Sequence, residues 1–180
     1  MYGVDIQKSG SGNTGATNVL RTLGAGPALV VALFDVFKGG IAVLVAKSVG
    51  LMDWKLGLVA LAAVLGHNYS VFLRLSGGKG VATSFGTMAF LDPFLALFSF
   101  PIGIMTILLT RYVSAGSMVG GFAAAILSLA MRREAWEVVT LSALSLLIFW
   151  THRANIQRLR SGGERRFGEK TNGTQAPDAS

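Results

Sequence analysis

Three stretches of this sequence gather residue types that hold anions. The first is SGSGNTGATNVLRTLG, at positions 9–24. Its glycines, Gly12 and Gly15 among them, allow a ligand to approach the backbone closely, and successive N–H groups in a tight turn form an anion-binding nest. Ser11, Asn13, Thr17 and Asn18 add hydroxyl and amide donors. A helix beginning near Gly15 puts Arg21 on its second turn, where the guanidinium can fork onto the same anion. A plain Gly/Ser loop with a helix cap accounts for the same residues without a ligand.

The second stretch, RLSGGKGVATS at 74–84, sets Gly77, Gly78 and Gly80 around Lys79 and then opens an apolar run. Gly80 stands where a Walker A loop needs Ser or Thr, which disfavours nucleotide binding. The parts of a phosphate cradle remain: free N–H groups, a helix N-terminus and a mobile cation. The third stretch is THRANIQRLRSGGE, at 151–164. Helical spacing brings His152 and Asn155 near one face. Membrane anchoring explains Arg158 and Arg160, but not an imidazole beside an amide. Histidine is a candidate base or donor near neutral pH.

Two polar features lie inside apolar runs. Asp35 and Lys38 are one turn apart and can neutralise each other, or act indirectly by aiming the loops. His67 reads as a packing histidine about 10 Å inside the surface. Several chemistries are disfavoured. No Gly-x-Ser-x-Gly elbow and no His-Glu-x-x-His occurs, and neither histidine has the spacing of a His-x4-Asp dyad. Acidic residues are few and scattered, and cysteine is absent. No acyl-enzyme, metal or cofactor is expected.

The elements that position these loops follow from composition. The 180 residues are 52% hydrophobic and 14% charged, against about 25% charged in an ordinary soluble domain. Mean hydropathy is +0.56. One polytopic, all-α membrane domain is expected, spanning 1–164, with a polar, disordered tail at 165–180. Apolar runs fall at 27–46, 56–73, 81–91, 94–110, 116–130 and 135–150, which gives about six crossings. A full span needs about 20 residues, so 81–91 reads as a short helix that starts below the membrane surface, shielded by its neighbours. Asp92-Pro93 separates it from the next run.

Six crossings put the segments 1–26, 74–80, 111–114 and everything after 151 on one face. That face carries eleven of the sixteen Lys and Arg residues, the other face four. The positive-inside bias makes it cytoplasmic. The net charge of +7 then reports membrane topology and anionic lipid head groups, not nucleic acid. From residues alone, an enzyme and an anion transporter fit about equally well, although a transporter predicts inverted halves that are not visible.

GSGNTGATNVLR, GHNYSVFLRLSGGKGVATS and HRANIQRLRSGGE resemble, in order, the three motifs of the bacterial acyl-phosphate:glycerol-3-phosphate acyltransferases, the PlsY family. LFDVFKGG and TRYVSAGSM extend the likeness. The resemblance implies a multi-pass enzyme of the bacterial inner membrane with its active site facing the cytoplasm. It implies transfer of a fatty acyl group from acyl phosphate to the 1-hydroxyl of glycerol 3-phosphate, giving lysophosphatidic acid and phosphate in phospholipid biosynthesis. A functional link to the enzyme that makes acyl phosphate is implied too. Matched residue by residue, the resemblance makes Ser11 and Arg21 essential. It puts glycerol 3-phosphate on Gly77, Gly78, Lys79 and Gly80, gives functional roles to His152 and Asn155, and gives Glu164 a role in integrity. The family pattern begins with a membrane helix ahead of the first motif, for seven crossings. This chain starts at Met1, close to that motif, and the helix is expected to be missing from it.

Overall fold

In lipid every backbone polar group must find its partner within the protein, which long apolar runs achieve by coiling into helices. The structure, a computed structural model, describes residues 3–169. In chain order the helices are α1 (Ala16–Leu23), α2 (Ala25–Ser48), α3 (Trp54–Asn68), α4 (Val81–Leu91), α5 (Pro93–Thr110), α6 (Val113–Ala130), α7 (Ala135–Thr151) and α8 (Arg153–Arg160). Single 3-10 turns lie at Ile6–Lys8 and Val71–Leu73. No strand occurs among the described residues.

Four segments are long and apolar enough to cross a membrane: Ala25–Ser48, Trp54–Leu73, Pro93–Thr110 and Val113–Ala130. Helix α7 makes a fifth when taken with α8, from which it is bent by 58°. With the short α4, these occupy the six apolar runs of the sequence. The chain is an integral membrane helix bundle. Its outer surface is apolar, with Phe34 74% and Leu109 77% exposed, while Thr83, Thr87, Ser99 and Ser128 are fully buried.

Helix α4 is the centre of the bundle. Helices α2, α3, α5 and α7 all pack against it, and its Met88 joins Val64, Leu95, Ala124, Leu141 and Leu144 in the core. Its position against α2 follows from two close approaches: Gly39 of α2 abuts Thr83 and Thr87 of α4, and Gly86 of α4 abuts the backbone of Val36. Gly39 lies about 20 Å along α2 at 1.5 Å per residue. The first turn of α4 therefore sits level with the middle of α2.

The four segments expected on one face meet there. Gln7 Nε2 donates to the carbonyls of Leu73 (3.4 Å) and Ser76 (3.1 Å), and Asn13 Nδ2 to that of Gly77 (3.5 Å). Thr151 Oγ1 donates to the Lys79 carbonyl at 3.1 Å. The expected polar tail begins within the described residues, where Phe167 N–H donates to the Arg111 carbonyl at 2.6 Å. Residues 170–180 of that tail lie outside them.

Candidate active site

The first loop is organised around one buried amide. Asn18 Oδ1 accepts Ser11 N–H at 2.9 Å, and Asn18 Nδ2 is directed at the carbonyls of Ile6 (3.3 Å), Ser9 (3.0 Å) and Asn13 (2.8 Å). Asn18 is placed by sequence among the anion donors, yet its side chain is engaged by the loop itself. Asn18 is buried on α1, where the carbonyls of the loop folded over it take up its amide. Ser11 lies on the exposed rim, and Gly12 and Thr17 are half-buried. Asn13 Oδ1 accepts Gly15 N–H at 2.9 Å, leaving the Gly15 N-cap of α1 without a side-chain cap. Arg21 turns back along the site, its Nη2 donating to the Arg165 carbonyl at 3.3 Å. Burial, followed by the charge of Arg165, holds its guanidinium pKa below the ordinary value.

The second loop ends at Gly80, whose φ of +80° is a left-handed conformation that glycine adopts without strain. That turn starts α4 with no side-chain cap, so its first N–H groups stay free to meet an anion. Beside them, the Lys79 ammonium donates to Asn155 Oδ1. Burial pushes the Lys79 pKa down to about 8. The carboxylate of Glu164 opposes this shift, while Arg158 and Arg21 add to it.

The third motif completes a chain of contacts. Asn155 Nδ2 donates to Glu164 Oε1 at 2.6 Å, Ser114 Oγ to the same oxygen at 2.7 Å, and Arg158 Nε to Glu164 Oε2 at 2.9 Å. Burial works to raise the Glu164 pKa, but the hydrogen bonds from Asn155, Ser114 and Arg158 outweigh it and hold the carboxyl below the usual range. Sequence reasoning gave Ser114 and Gln7 no part. Ser114 sits in the first turn of α6, a position where serine is unremarkable, and its partner is fifty residues away.

His152 marks the bend that follows α7. It is buried, and its Nδ1–H donates to the Ile148 carbonyl at 2.8 Å, which leaves the lone pair on Nε2. Asp35 and Lys38 pair as their spacing predicts, and His67, read as a packing histidine, joins them: Lys38 Nζ lies 2.5 Å from Asp35 Oδ1 and 2.6 Å from His67 Nδ1. Among the described residues no three His, Asp or Glu side chains gather into a metal-binding set.

An apolar cavity of about 120 Å³ lies between α4, α5, α6 and α7. Val81, one residue beyond Gly80, lines it together with Ser84, Gly116, Gly120, Leu144 and Ile148. Charged loops at one end and an apolar space beginning beside them belong to an integral membrane protein.

The profile of the glycerol-3-phosphate acyltransferases matches residues 1–162, and the chain belongs to that family. It is 73% identical over 169 residues to a glycerol-3-phosphate acyltransferase of Thermus thermophilus, covering 94% of this chain and 85% of the relative. Glycerol-3-phosphate acyltransferase 1 of Deinococcus radiodurans is 54% identical over 168 residues, covering 93% and 85%. Two crystal structures of PlsY (YgiH), an integral membrane glycerol 3-phosphate acyltransferase, share the fold at 41% identity. The glycerol 3-phosphate form has a TM-score of 0.88 and covers 92% of this chain and 84% of that one. The lysophosphatidic acid form has a TM-score of 0.83, covering 88% and 81%.

Proposed function

We propose that this chain transfers a fatty acyl group from acyl phosphate directly to the 1-hydroxyl of sn-glycerol 3-phosphate, releasing lysophosphatidic acid and phosphate. The observation that carries this reading is Lys79, held on Asn155 beside the uncapped start of α4, where an apolar cavity also begins. The family to which the chain belongs supports the acceptor. Among the described residues neither histidine ring is hydrogen-bonded to a serine or threonine hydroxyl, which supports direct transfer.

The chemistry suits such a site. Acyl phosphate is a mixed anhydride, so its leaving group needs no covalent relay. The acceptor oxygen bonds to the carbonyl carbon, the carbon–oxygen bond to phosphate breaks, and phosphate departs with the electron pair. The hydroxyl proton passes to a phosphate oxygen. His152 is buried and its Nδ1–H is committed to the Ile148 carbonyl, so it presents only the Nε2 lone pair and fits a fixed acceptor better than the base. Holding two mutually repelling anions in line is the main task, and positioning of this kind can supply about 7–11 kcal/mol of the barrier. Lys79, Arg21 and the free N–H groups of α4 offset that repulsion and stabilise charge growing on the carbonyl and leaving phosphate. The acyl chain enters the cavity beyond Val81. The excess of basic residues in these loops supports a cytoplasmic face and, with it, a site at the inner leaflet of a bacterial membrane.

Purified protein supplied with acyl phosphate and radiolabelled glycerol 3-phosphate is expected to form labelled lysophosphatidic acid. Product from an acyl thioester but not from acyl phosphate would overturn the donor, and vesicle uptake of phosphate with no lipid product would overturn the enzyme. Mass spectrometry that found an acylated Ser11 during turnover would rule out direct transfer.

A further inference from the structure

Beneath the loop at 77–80 lies the last turn of α3, and that turn is tied to α2. Gly77 N–H donates to the Asn68 carbonyl at 3.0 Å. Gly80 lies against Asn68 and Val64, so closely that a Cβ there would stand 2.8 Å from Val64 Cγ1. Gly78 rests on the His67 ring, where a Cβ would come within 2.6 Å of Cε1. The whole anion loop is thus laid on the end of one helix, with imidazole as its floor. The other edge of that imidazole is held from α2: Lys38 Nζ reaches His67 Nδ1 at 2.6 Å while pairing with Asp35 Oδ1 at 2.5 Å. Asp35 Oδ1 itself is 3.5 Å from His67 Nδ1.

Donor accounting fixes the ring. An ammonium has three donors and no lone pair, so Nδ1 must accept and the proton must sit on Nε2. The Nε2–H edge is the one that faces Gly78. Ion pairs inside a membrane are rare and costly, and packing alone would not need this arrangement. We propose that Asp35, Lys38 and His67 form a buttress that locks the His67 tautomer and ring plane, and so sets the height and shape of the loop at 77–80 for the acceptor's phosphate. These are positioning residues, one layer behind the groups that touch substrate. The inference rests on the glycerol 3-phosphate reading of that loop.

The test joins spectroscopy to kinetics. In ¹⁵N-histidine-labelled wild-type protein in detergent, His67 is expected as a single tautomer protonated on Nε2. Lys38→Met is expected to release that tautomer and raise the KM for glycerol 3-phosphate about 10- to 100-fold, the scale of a small misplacement of a binding group. The KM for acyl phosphate should move less than twofold. Asp35→Asn/Lys38→Met, which removes the unpaired carboxylate left by the single change, is expected to recover thermal stability but not the KM. A wild-type ring protonated on Nδ1, equal effects on the two KM values, or full recovery of KM in the double variant would each overturn the buttress. Should wild-type protein form no product, the functional reading fails instead, while the ring spectrum still decides the tautomer.

Discussion

The two ends of α4 are finished in opposite ways. At its C-terminus Lys47 reaches over from α2 to donate to the carbonyls of Phe90 (2.6 Å) and Leu91 (3.3 Å). Asp92 then caps the next helix through Phe94 N–H (2.9 Å) and Leu95 N–H (3.1 Å) while pairing with Arg133 at 2.7 Å. At the N-terminus Gly80 offers no cap, and the neighbouring cation, Lys79, rests on a neutral amide. Charges at the far end close helices on themselves. Those at the near end leave N–H groups and an ammonium open to an incoming anion. A helix end buried without a partner is costly unless a ligand or water supplies it, and the open end is where the proposed function places the substrate.

The contrast breaks most sharply at its two lysines. Lys79→Ala is expected to raise the KM for glycerol 3-phosphate about 10- to 100-fold, the equivalent of the roughly 1.5–3 kcal/mol of a hydrogen bond to a charged group. Lys47→Ala should leave that KM unchanged and lower only thermal stability in detergent. Equal KM effects would erase the distinction between the two ends.

A pH series sharpens it. Lys79 is an ammonium below about pH 8, so kcat/KM for glycerol 3-phosphate should fall as pH rises through that value. In the bound complex a phosphate dianion favours the charged lysine, and kcat should hold to higher pH. Glu164 raises the Lys79 pKa, so Glu164→Gln should move the alkaline limb of kcat/KM to lower pH. A profile flat from pH 7 to 9 would contradict both expectations.

The smallest effect is expected at the closed end. Asp92→Ala removes a helix cap, a loss of about 0.5–2 kcal/mol, together with the partner of Arg133. The activity of the protein that remains folded should match wild type. A changed KM here would mean that the far end communicates with the site.

Much of the fold is legible in the sequence, because apolar length and charge bias are local properties read by lipid. The runs at 81–91 and 94–110 became α4 and α5, separated at Asp92, and the segments predicted to share a face do meet. The three polar motifs were equally visible as clusters of glycine, amide and base. Their internal division of labour was not. Nothing local distinguishes Asn18, turned onto its own loop, from Asn13, which reaches Gly77. Nothing local pairs Ser114 with Glu164 or Lys38 with His67.

Sequence by itself determined the solvent of this protein, the order of its helices, and which polar segments come together. Only the tertiary structure decided which donors bind the loops together and which remain free, because a hydrogen bond depends on distance and angle between residues far apart along the chain. The same packing set the first turn of α4 level with the middle of α2. A position of that kind depends on Gly39 and Gly86 each admitting a neighbouring backbone, and no count of apolar residues contains it.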